Sequence, residues 1–294
     1  MRTIVPQCCH KGKHTLNIRY LLLRLIRHFM PEGIARFLLK RRWIIRPGLE
    51  SSDPLAAVDQ YMKALAQHGK SIKNQRVLVF GYGGRFAVGV ELLKQGAAHV
   101  VLCDHFVLLD QERNLELLPK YSDYLIMENN EVKPRPERIT LRHGDIRDAK
   151  LQSEIAAVDL VLSTSVYEHL DDVDGITSAL ATLTAPHGIH LHFVDLRDHY
   201  FKYPFAMLAY SETIWKNFLN PTSNLNRYRL PSYQRIFEKY FGQVKIDVLA
   251  RQENEFEQTR RRIRSEFITG DLSVDSTTLI QVFAEAPIRD KNEG

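Results

Sequence analysis

Three things are scarce in this sequence of 294 residues: cysteines, long apolar runs and, near the N-terminus, acidic side chains. The three cysteines are an odd number without metal-type spacing, and the adjacent Cys8 and Cys9 make a poor disulfide framework. A reducing, cytoplasmic compartment is therefore expected. The stretch Tyr20–Met30 is interrupted by charged residues and falls short of the roughly 20 apolar residues that span a bilayer, which argues against a transmembrane helix.

The shortage of acidic residues makes the N-terminal segment basic. Eleven of the 40 Lys and Arg residues fall within residues 1–50, together with two of the 35 acidic residues, so the rest of the chain is slightly acidic. Residues 15–43 predict two helices broken at Pro31 and Gly33, with four apolar side chains on one face: Leu21, Leu22, Leu25 and Ile26. Two interpretations stay open, a helical cap packed on the main domain and peripheral contact with an anionic membrane surface.

Beyond a linker near residues 47–54, the chain alternates apolar strands with helices, which is typical of an α/β fold. The prediction is a basic helical N-terminal extension, residues 1–55, followed by a catalytic domain, residues 56–294, that opens with a helix over Ala56–His68. The predicted strands are Arg76–Phe80, His99–Cys103, Arg138–Leu141, Asp159–Ser163, His190–Val194, Gln243–Leu249 and Thr277–Ala284.

A glycine-rich loop with Gly81, Gly83 and Gly84 lies between the first predicted strand and the next helix. Missing side chains let the backbone approach a ligand, and a helix N-terminus offers free N–H groups. Asp104 ends the second strand some twenty residues later, where a carboxylate can accept hydrogen bonds from both hydroxyls of a ribose. The loop and the acid together indicate a cofactor of the adenosine type.

Nicotinamide dinucleotides and S-adenosylmethionine both fit this geometry, and three features favour the methyl donor. Phe86 stands where the dinucleotide fingerprint has its third glycine, and no Tyr-x-x-x-Lys pair occurs. Asp145 and Ile146 follow the third strand, where a carboxylate could accept a hydrogen bond from an adenine amino group. S-adenosylmethionine is therefore the predicted cofactor.

Four segments resemble, in order, motifs of the class I S-adenosylmethionine-dependent methyltransferases: residues 77–104, 143–148, 159–172 and 183–195. The resemblance runs from Arg76 to the C-terminus. It implies a Rossmann-like, seven-stranded, mostly parallel sheet flanked by helices, with one reversed strand for which Thr277–Ala284 is the candidate. The sequence departs from the family at Phe80, because an acidic residue usually precedes the first glycine.

The resemblance also implies roles for individual residues. Gly81, Gly83 and Gly84 would line the methionine portion of the cofactor, and Asp104 would bind the ribose. At the adenine the expected residues are Asp145 and Ile146, and Thr164 would contact the methionine side from the end of the fourth strand.

Methyl transfer mainly requires alignment of donor and acceptor, and a base is needed only when the acceptor carries a proton. Two clusters qualify: Asp195, Asp198 and His199 follow the fifth strand, and Glu168 and His169 follow the fourth. Of these, His199, Asp198 and His169 stand out. These three are the predicted catalytic residues, and His199 is the first candidate for the base. Each could instead be a surface or helix-flanking residue.

No metal site is predicted. His190 and His192 point to the same face of one strand, but no third ligand stands at an obvious spacing, so we interpret them as core histidines. If a metal took part in the reaction, the sequence would favour Asp195 and Asp198 as its ligands.

An insertion rich in aromatic residues, 196–232, is long enough to form a substrate lid. Tyr200, Arg227 and Arg229 are the predicted substrate-binding residues, the arginines through an acidic or phosphorylated group of the substrate. A solvated turn before a helix at Ser232 explains the arginines equally well.

The predicted function is methyl transfer to a small-molecule or saccharide acceptor, at oxygen. Alternatives are a catalytically silent scaffold, a nicotinamide oxidoreductase, and a nucleic-acid methyltransferase, which the slightly acidic domain disfavours.

Overall fold

The computed structural model describes residues 18–31, 34, 53–107, 109–199, 202–220 and 225–289, without the side chain of Arg27. Several predicted features fall outside these ranges. They are Cys8 and Cys9, most of the second N-terminal helix, and the predicted substrate residue Tyr200.

The strands are β1 Arg76–Phe80, β2 His99–Asp104, β3 Leu125–Glu128, β4 Glu131–Pro134, β5 Ile139–His143, β6 Val158–Thr164, β7 Thr184–Asp195, β8 Phe241–Arg251 and β9 Thr277–Pro287. Within the described residues, seven of them form one sheet in the order β5-β2-β1-β6-β7-β9-β8. Strand β9 runs antiparallel to both of its neighbours, and the other pairs are parallel. The predicted seven-stranded sheet and its reversed strand are confirmed.

The helices are α1 Ile18–His28, α2 Pro54–Gln67, α3 Ala87–Lys94, α4 Gln111–Leu117, α5 Ala149–Ile155, α6 Val173–Leu183, α7 Glu212–Ile214 with a π-helical turn over Trp215–Leu219, α8 Leu230–Tyr240, α9 Glu253–Arg260 and α10 Leu272–Asp275. Helix α2 begins where Asp53 caps it by accepting a hydrogen bond from the N–H of Ala56 at 3.1 Å. The proposed domain division at residue 55 therefore falls within the first turn of α2.

The sheet separates two hydrophobic cores. Val77 and Val79 of β1 lie in the core that includes α2 and α3, whereas Leu78 and Phe80 lie in the core that includes α5, α6 and α8. This alternation follows from the period of two in a β-strand. Because both faces of β1 are buried, the loop that follows it is held firmly at the carboxyl edge of the sheet.

Strands β3 and β4 form a separate hairpin that follows β2 and precedes β5 along the chain. This hairpin was not expected from the sequence. Its turn, Asn129 and Asn130, adopts φ values of +53° and +62°. Two successive residues with positive φ are typical of a two-residue hairpin turn, and asparagine tolerates this conformation better than most residues. The paired asparagines were the local signal for it.

Helix α1 packs on the insertion through a face other than the predicted one. Tyr20 and Arg24 are fully buried, whereas Leu22 and Ile26 are 56% and 52% exposed. The predicted grouping of Leu22 and Ile26 with Leu21 and Leu25 as one packing face is therefore wrong. Hydrogen bonds of Tyr20 and Arg24 to the insertion set the rotation of the helix, and the leucines divide between a half-buried row and an exposed row.

Candidate active site

The predicted cofactor residues follow strands that lie side by side, β5, β2, β1 and β6. Asp104 at the end of β2 is in register with His143 at the end of β5, so Asp104 and Asp145 share one edge of the sheet. Thr164 ends β6 at the same edge. The carboxyl edge of parallel strands is where open α/β sheets bind ligands.

The loop of Gly81, Gly83 and Gly84, named here the glycine loop, takes a conformation that glycine favours. Their φ values are +82°, +71° and +76°. A Cβ atom at Gly81 would also lie 2.4 Å from a methyl group of Val166, in the turn after β6. The glycine loop is therefore closely packed against the end of β6.

Asn114 of α4 fixes the far side of the glycine loop. This buried side chain accepts a hydrogen bond from the N–H of Phe86 at 2.9 Å and donates one to the carbonyl of Gly84 at 3.0 Å. Sequence reasoning missed Asn114, because a single asparagine 30 residues from the loop has no local signature.

Asp104 connects the end of β2 to the glycine loop. Its carboxylate accepts hydrogen bonds from the N–H groups of Gly83 at 3.1 Å, Phe106 at 3.0 Å and Val107 at 2.9 Å. Phe106 is nevertheless 71% exposed, so an aromatic ring two residues after this carboxylate is accessible to solvent. Such a ring offers a stacking surface for a heterocyclic base, and the sequence analysis did not single it out.

Asp145 and Ile146 offer different chemical groups at the carboxyl edge of the sheet. Asp145 accepts hydrogen bonds from the guanidinium of Arg147, with Oδ2 to Nη2 at 2.6 Å, and this interaction lowers the pKa of Asp145 to about 2. The Ile146 side chain is buried in the core. At this position the chain therefore offers an ionised carboxylate and, from Ile146, its backbone.

Thr164 brings helix α2 into the site. Its hydroxyl donates a hydrogen bond to the hydroxyl of Tyr61 at 2.8 Å, and both side chains are buried. Tyr61 lies 103 residues earlier in the chain, so sequence spacing could not reveal the contact.

A second group of polar side chains lies beyond the end of β6. Glu168 and His169 belong to a 3₁₀ turn over Tyr167–His169, and His199 follows the neighbouring strand β7. Each of these three side chains offers a ligand atom within 4.8 Å of the other two. We call them the Glu-His-His cluster. The sequence placed His169 and His199 at this rim, and the structure brings them together with Glu168.

Burial governs the electrostatics of the Glu-His-His cluster. The imidazole rings of His169 and His199 are 4.8 Å apart and steeply inclined. Burial, and then the neighbouring His169, lowers the pKa of His199 to about 4. Burial also raises the pKa of Glu168 well above its usual value. His199 is therefore an uncharged imidazole near neutral pH.

The side chain of Asp198 binds helix α1. Its side chain is fully buried and accepts hydrogen bonds from Tyr20 Oη at 2.5 Å and from the guanidinium of Arg24. Both carboxylate oxygens are thus engaged by α1. In the structure Asp198 fastens α1 to the segment that carries His199, which is not the arrangement of a base facing a substrate.

The two carboxylates that the sequence left open as metal ligands, Asp195 and Asp198, already have partners. Asp195 accepts hydrogen bonds from the guanidinium of Arg197, at 2.6 Å to Nη2, and Asp198 is bound by α1. Neither carboxylate is therefore an open ligand in this structure. The interpretation of His190 and His192 as core histidines is confirmed, because both are fully buried and hydrogen bonded to each other at 3.1 Å.

Arg227 and Arg229 are buried rather than solvated. Arg227 donates to the carbonyl of Tyr210 at 2.6 Å and pairs with Glu212, and Arg229 donates to the carbonyls of Leu196 at 2.8 Å and Thr277 at 2.5 Å. The expected solvated turn is wrong, because these guanidinium groups are needed to satisfy buried carbonyls. Both arginines border a cavity of about 710 Å³, but these donors already bind the protein itself.

Comparison with known protein families also indicates a methyltransferase. A family model described as a methyltransferase domain matches residues 108–192, from α4 to the middle of β7. This range includes the adenine-edge residues, Thr164 and two members of the Glu-His-His cluster. The match confirms the predicted resemblance to the class I S-adenosylmethionine-dependent methyltransferases. No curated protein sequence matches it.

Solved methyltransferases are distant from this one in sequence. An S-adenosylmethionine-dependent methyltransferase from Mesorhizobium loti is 13% identical, with 76% of this chain and 96% of that chain covered and a TM-score of 0.44. Phosphoethanolamine N-methyltransferase 2 from Haemonchus contortus is 15% identical, with 78% and 53% covered and a TM-score of 0.48. The methyltransferase described here thus spans about half the length of the Haemonchus enzyme.

The cofactor of this methyltransferase is S-adenosylmethionine. The residues at the edge of the sheet fit its chemistry. A carboxylate that can accept from ribose hydroxyls, Asp104, lies beside a backbone loop without side chains and an exposed aromatic ring, Phe106. A second, ionised carboxylate, Asp145, lies one strand away as a potential acceptor for an amino group.

Proposed function

We propose that this methyltransferase transfers its methyl group to an oxygen atom of a small-molecule or saccharide acceptor. The observation that supports this most directly is the pair His169 and His199 at the carboxyl ends of β6 and β7, next to the strand end that carries Thr164. A hydroxyl is a weak nucleophile until its proton is removed, and a neutral imidazole is suited to accept that proton.

S-adenosylmethionine supplies a methyl group on a positively charged sulfur, which a nucleophile can displace. In the proposed arrangement the glycine loop, Asp104 and Asp145 hold the cofactor. His199, uncharged because of its burial, accepts the hydrogen of the acceptor hydroxyl, and His169 orients the same group. Asp198 positions His199 through its bonds to α1 and has no direct contact with the acceptor in this proposal.

The test is a comparison of acceptor classes with the purified enzyme and isotopically labelled cofactor. Phenols, polyols and saccharides are offered in parallel with amines and thiols, and mass spectrometry locates the methyl group. The expected result is methylation at oxygen, which His199→Asn lowers by about 100-fold or more in kcat, as for loss of a general base. His187→Asn, an exposed histidine on β7, is the matched control. Methylation confined to nitrogen, carbon or sulfur would overturn the proposal.

We also propose that α1 brings the enzyme to an anionic membrane surface. Ile18, Leu22 and Ile26 on α1, with Phe29 directly after it, form an exposed apolar row, between 52% and 74% exposed, while Arg24 on another side of the helix is bound to the insertion. The first 50 residues carry eleven basic and two acidic side chains. An apolar row within a basic segment is the pattern that binds anionic lipid. Among the described helices, none is long and apolar enough to cross a bilayer.

Vesicle sedimentation tests this contact. We expect binding to vesicles with phosphatidylserine, weaker binding to phosphatidylcholine alone, and loss of binding in Leu22→Glu. Leu115→Glu on α4 changes an equally exposed leucine away from α1 and should bind like the wild type. Equal binding of Leu22→Glu and the wild type would contradict the proposal.

A further inference from the structure

The Glu-His-His cluster has the composition of a metal centre. Its three ligand atoms lie within 4.8 Å of one another, contributed by two consecutive residues after β6 and one residue after β7. Two imidazole nitrogens and one carboxylate form a donor set common to zinc, iron and other first-row transition metals. Small side-chain rotations would bring such atoms to metal bonds of roughly 2.0–2.2 Å.

Glu168 provides the second, independent observation. Its side chain is 1% exposed, and within the described residues no salt bridge or close hydrogen bond to it is found, although the Ser165 hydroxyl and backbone N–H groups lie nearby. The neighbouring guanidinium of Arg197 is paired with Asp195, and Arg229 donates to backbone carbonyls. A buried carboxylate without a cation is costly, and a bound metal ion is one way in which a native structure compensates such a group.

The surroundings hold the backbone that carries the cluster in place. The carbonyl of Glu168 accepts a hydrogen bond from the N–H of Asn226 at 2.8 Å, and the Asn226 amide donates to the carbonyl of Tyr167 at 2.7 Å. On the other side, Asp198 next to His199 is bound by α1. Ligands positioned by such outer contacts favour metal binding, because little conformational freedom is lost.

We propose that Glu168, His169 and His199 bind one divalent first-row transition-metal ion. Three protein ligands leave coordination positions open, as in catalytic rather than purely structural sites. The Glu-His-His cluster lies at the carboxyl ends of β6 and β7, where the acceptor is proposed to bind, so an acceptor with one or two adjacent hydroxyl groups is the chemical class that fits. The proposal that a metal binds depends on the geometry of the three side chains. The role of that metal in methyl transfer rests in addition on the proposed function.

The metal would change how the hydroxyl is activated. A divalent cation would lower the pKa of a hydroxyl bound to it, so that the proton would pass to solvent. The metal would then replace His199 as the activating group and leave oxygen as the acceptor atom of the proposed function. The acceptor oxygen then forms a bond to the methyl carbon as the carbon–sulfur bond breaks. The products are the methyl ether, neutral S-adenosylhomocysteine and one released proton, so charge and atoms balance.

The experiment begins with the full chain stripped of metal by a chelator and dialysed. Titration with Mn²⁺ followed by electron paramagnetic resonance measures binding, and the visible absorption of added Co²⁺ reports histidine ligation. We expect one equivalent of metal in the wild type and at least tenfold weaker binding in Glu168→Gln and His199→Asn. His187→Asn is the matched histidine control, and retained S-adenosylmethionine binding shows that each variant is folded.

The outcomes separate the two proposals. If the wild type binds no Mn²⁺ or Co²⁺, or if Glu168→Gln binds them as well as the wild type does, the metal centre is overturned. Methylation of hydroxyl acceptors that persists in excess chelator would also reject a role for the metal while retaining oxygen as the acceptor atom. Metal binding by an enzyme that methylates only nitrogen or carbon would keep the metal centre and overturn the proposed function.

Discussion

The cofactor side and the acceptor side of the same sheet edge are built in different ways. On the cofactor side, the glycine loop and Asp104 are joined through backbone N–H groups, and each directly follows its own strand. On the acceptor side, the Glu-His-His cluster depends on Asn226 and on the contact of α1 with Asp198, which come from distant segments. The proposed donor site thus depends mainly on backbone geometry, with Asn114 and Tyr61 as more distant supports, and the proposed acceptor site depends on long-range side-chain contacts.

Breaking the contact of α1 with the insertion should have the largest effect. Arg24→Met leaves Asp198 buried without its cation, which we expect to lower the free energy of unfolding by roughly 3 kcal/mol. Acceptor methylation should fall with it, whereas the Kd for S-adenosylmethionine should stay within about twofold. Urea unfolding and calorimetric titration measure the two effects.

The matched control is Lys216→Met, which removes an exposed ion pair with Glu212 and should cost less than about 1 kcal/mol. Equal loss of cofactor binding and methylation in Arg24→Met would show that the two sides are not independent.

A change on the cofactor side should instead act mainly on the affinity for S-adenosylmethionine. Asp104→Ala removes a charged acceptor of backbone and ribose hydrogen bonds, and the affinity for S-adenosylmethionine should fall by roughly 100-fold, or about 2.7 kcal/mol. The isosteric Asp104→Asn keeps the shape and should also bind weakly. Calorimetry is the measurement, with the exposed Asp123→Ala as control. Near-normal affinity in both Asp104 variants would reject its assigned role.

Strand β7 joins the two sides and should make the protein sensitive to acid. Burial lowers the pKa of His190 to about 3 and that of His192 well below its usual value. Because the unfolded chain binds these protons more readily, their contribution to stability is complete above about pH 6.5. As the pH falls below that value the free energy of unfolding should fall, by about 1.4 kcal/mol per pH unit for each histidine.

Urea unfolding between pH 7 and pH 4 measures this slope. His192→Gln should reduce it, whereas His187→Gln, at an exposed position on the same strand, should leave it unchanged. A slope that does not respond to His192→Gln would assign the acid sensitivity to other groups.

The smallest expected effect is a modest loss of cofactor affinity. Phe106→Ala removes an exposed ring beside Asp104, and loss of one stacking contact of about 1 kcal/mol should weaken S-adenosylmethionine binding by roughly fivefold. Phe218→Ala removes a half-exposed ring from the insertion and should leave cofactor affinity unchanged. If the two variants bind the cofactor equally well, Phe106 does not stack on it.

The Glu-His-His cluster shows why sequence reasoning reached part of the acceptor side. Glu168, His169 and His199 could be placed at the rim because each follows a recognisable strand. The burial of Glu168 and its closeness to His199 could not be predicted, since both depend on what surrounds it in three dimensions. Arg227 and Arg229 were assigned to the substrate for the same reason: a sequence shows that a guanidinium is present, but not which carbonyls it binds.

The sequence by itself determined the alternation of strands and helices and the edge that carries the glycine loop and Asp104. These features arise from short-range patterns, namely runs of apolar residues, turns and the spacing from loop to strand end, whereas the reversed strand was implied by the family resemblance. Only the tertiary structure decided the rotation of α1 and the partner of Asp198. Arg24 and Asp198 are 174 residues apart, and a buried ion pair between them depends on how distant segments pack, which no local period encodes.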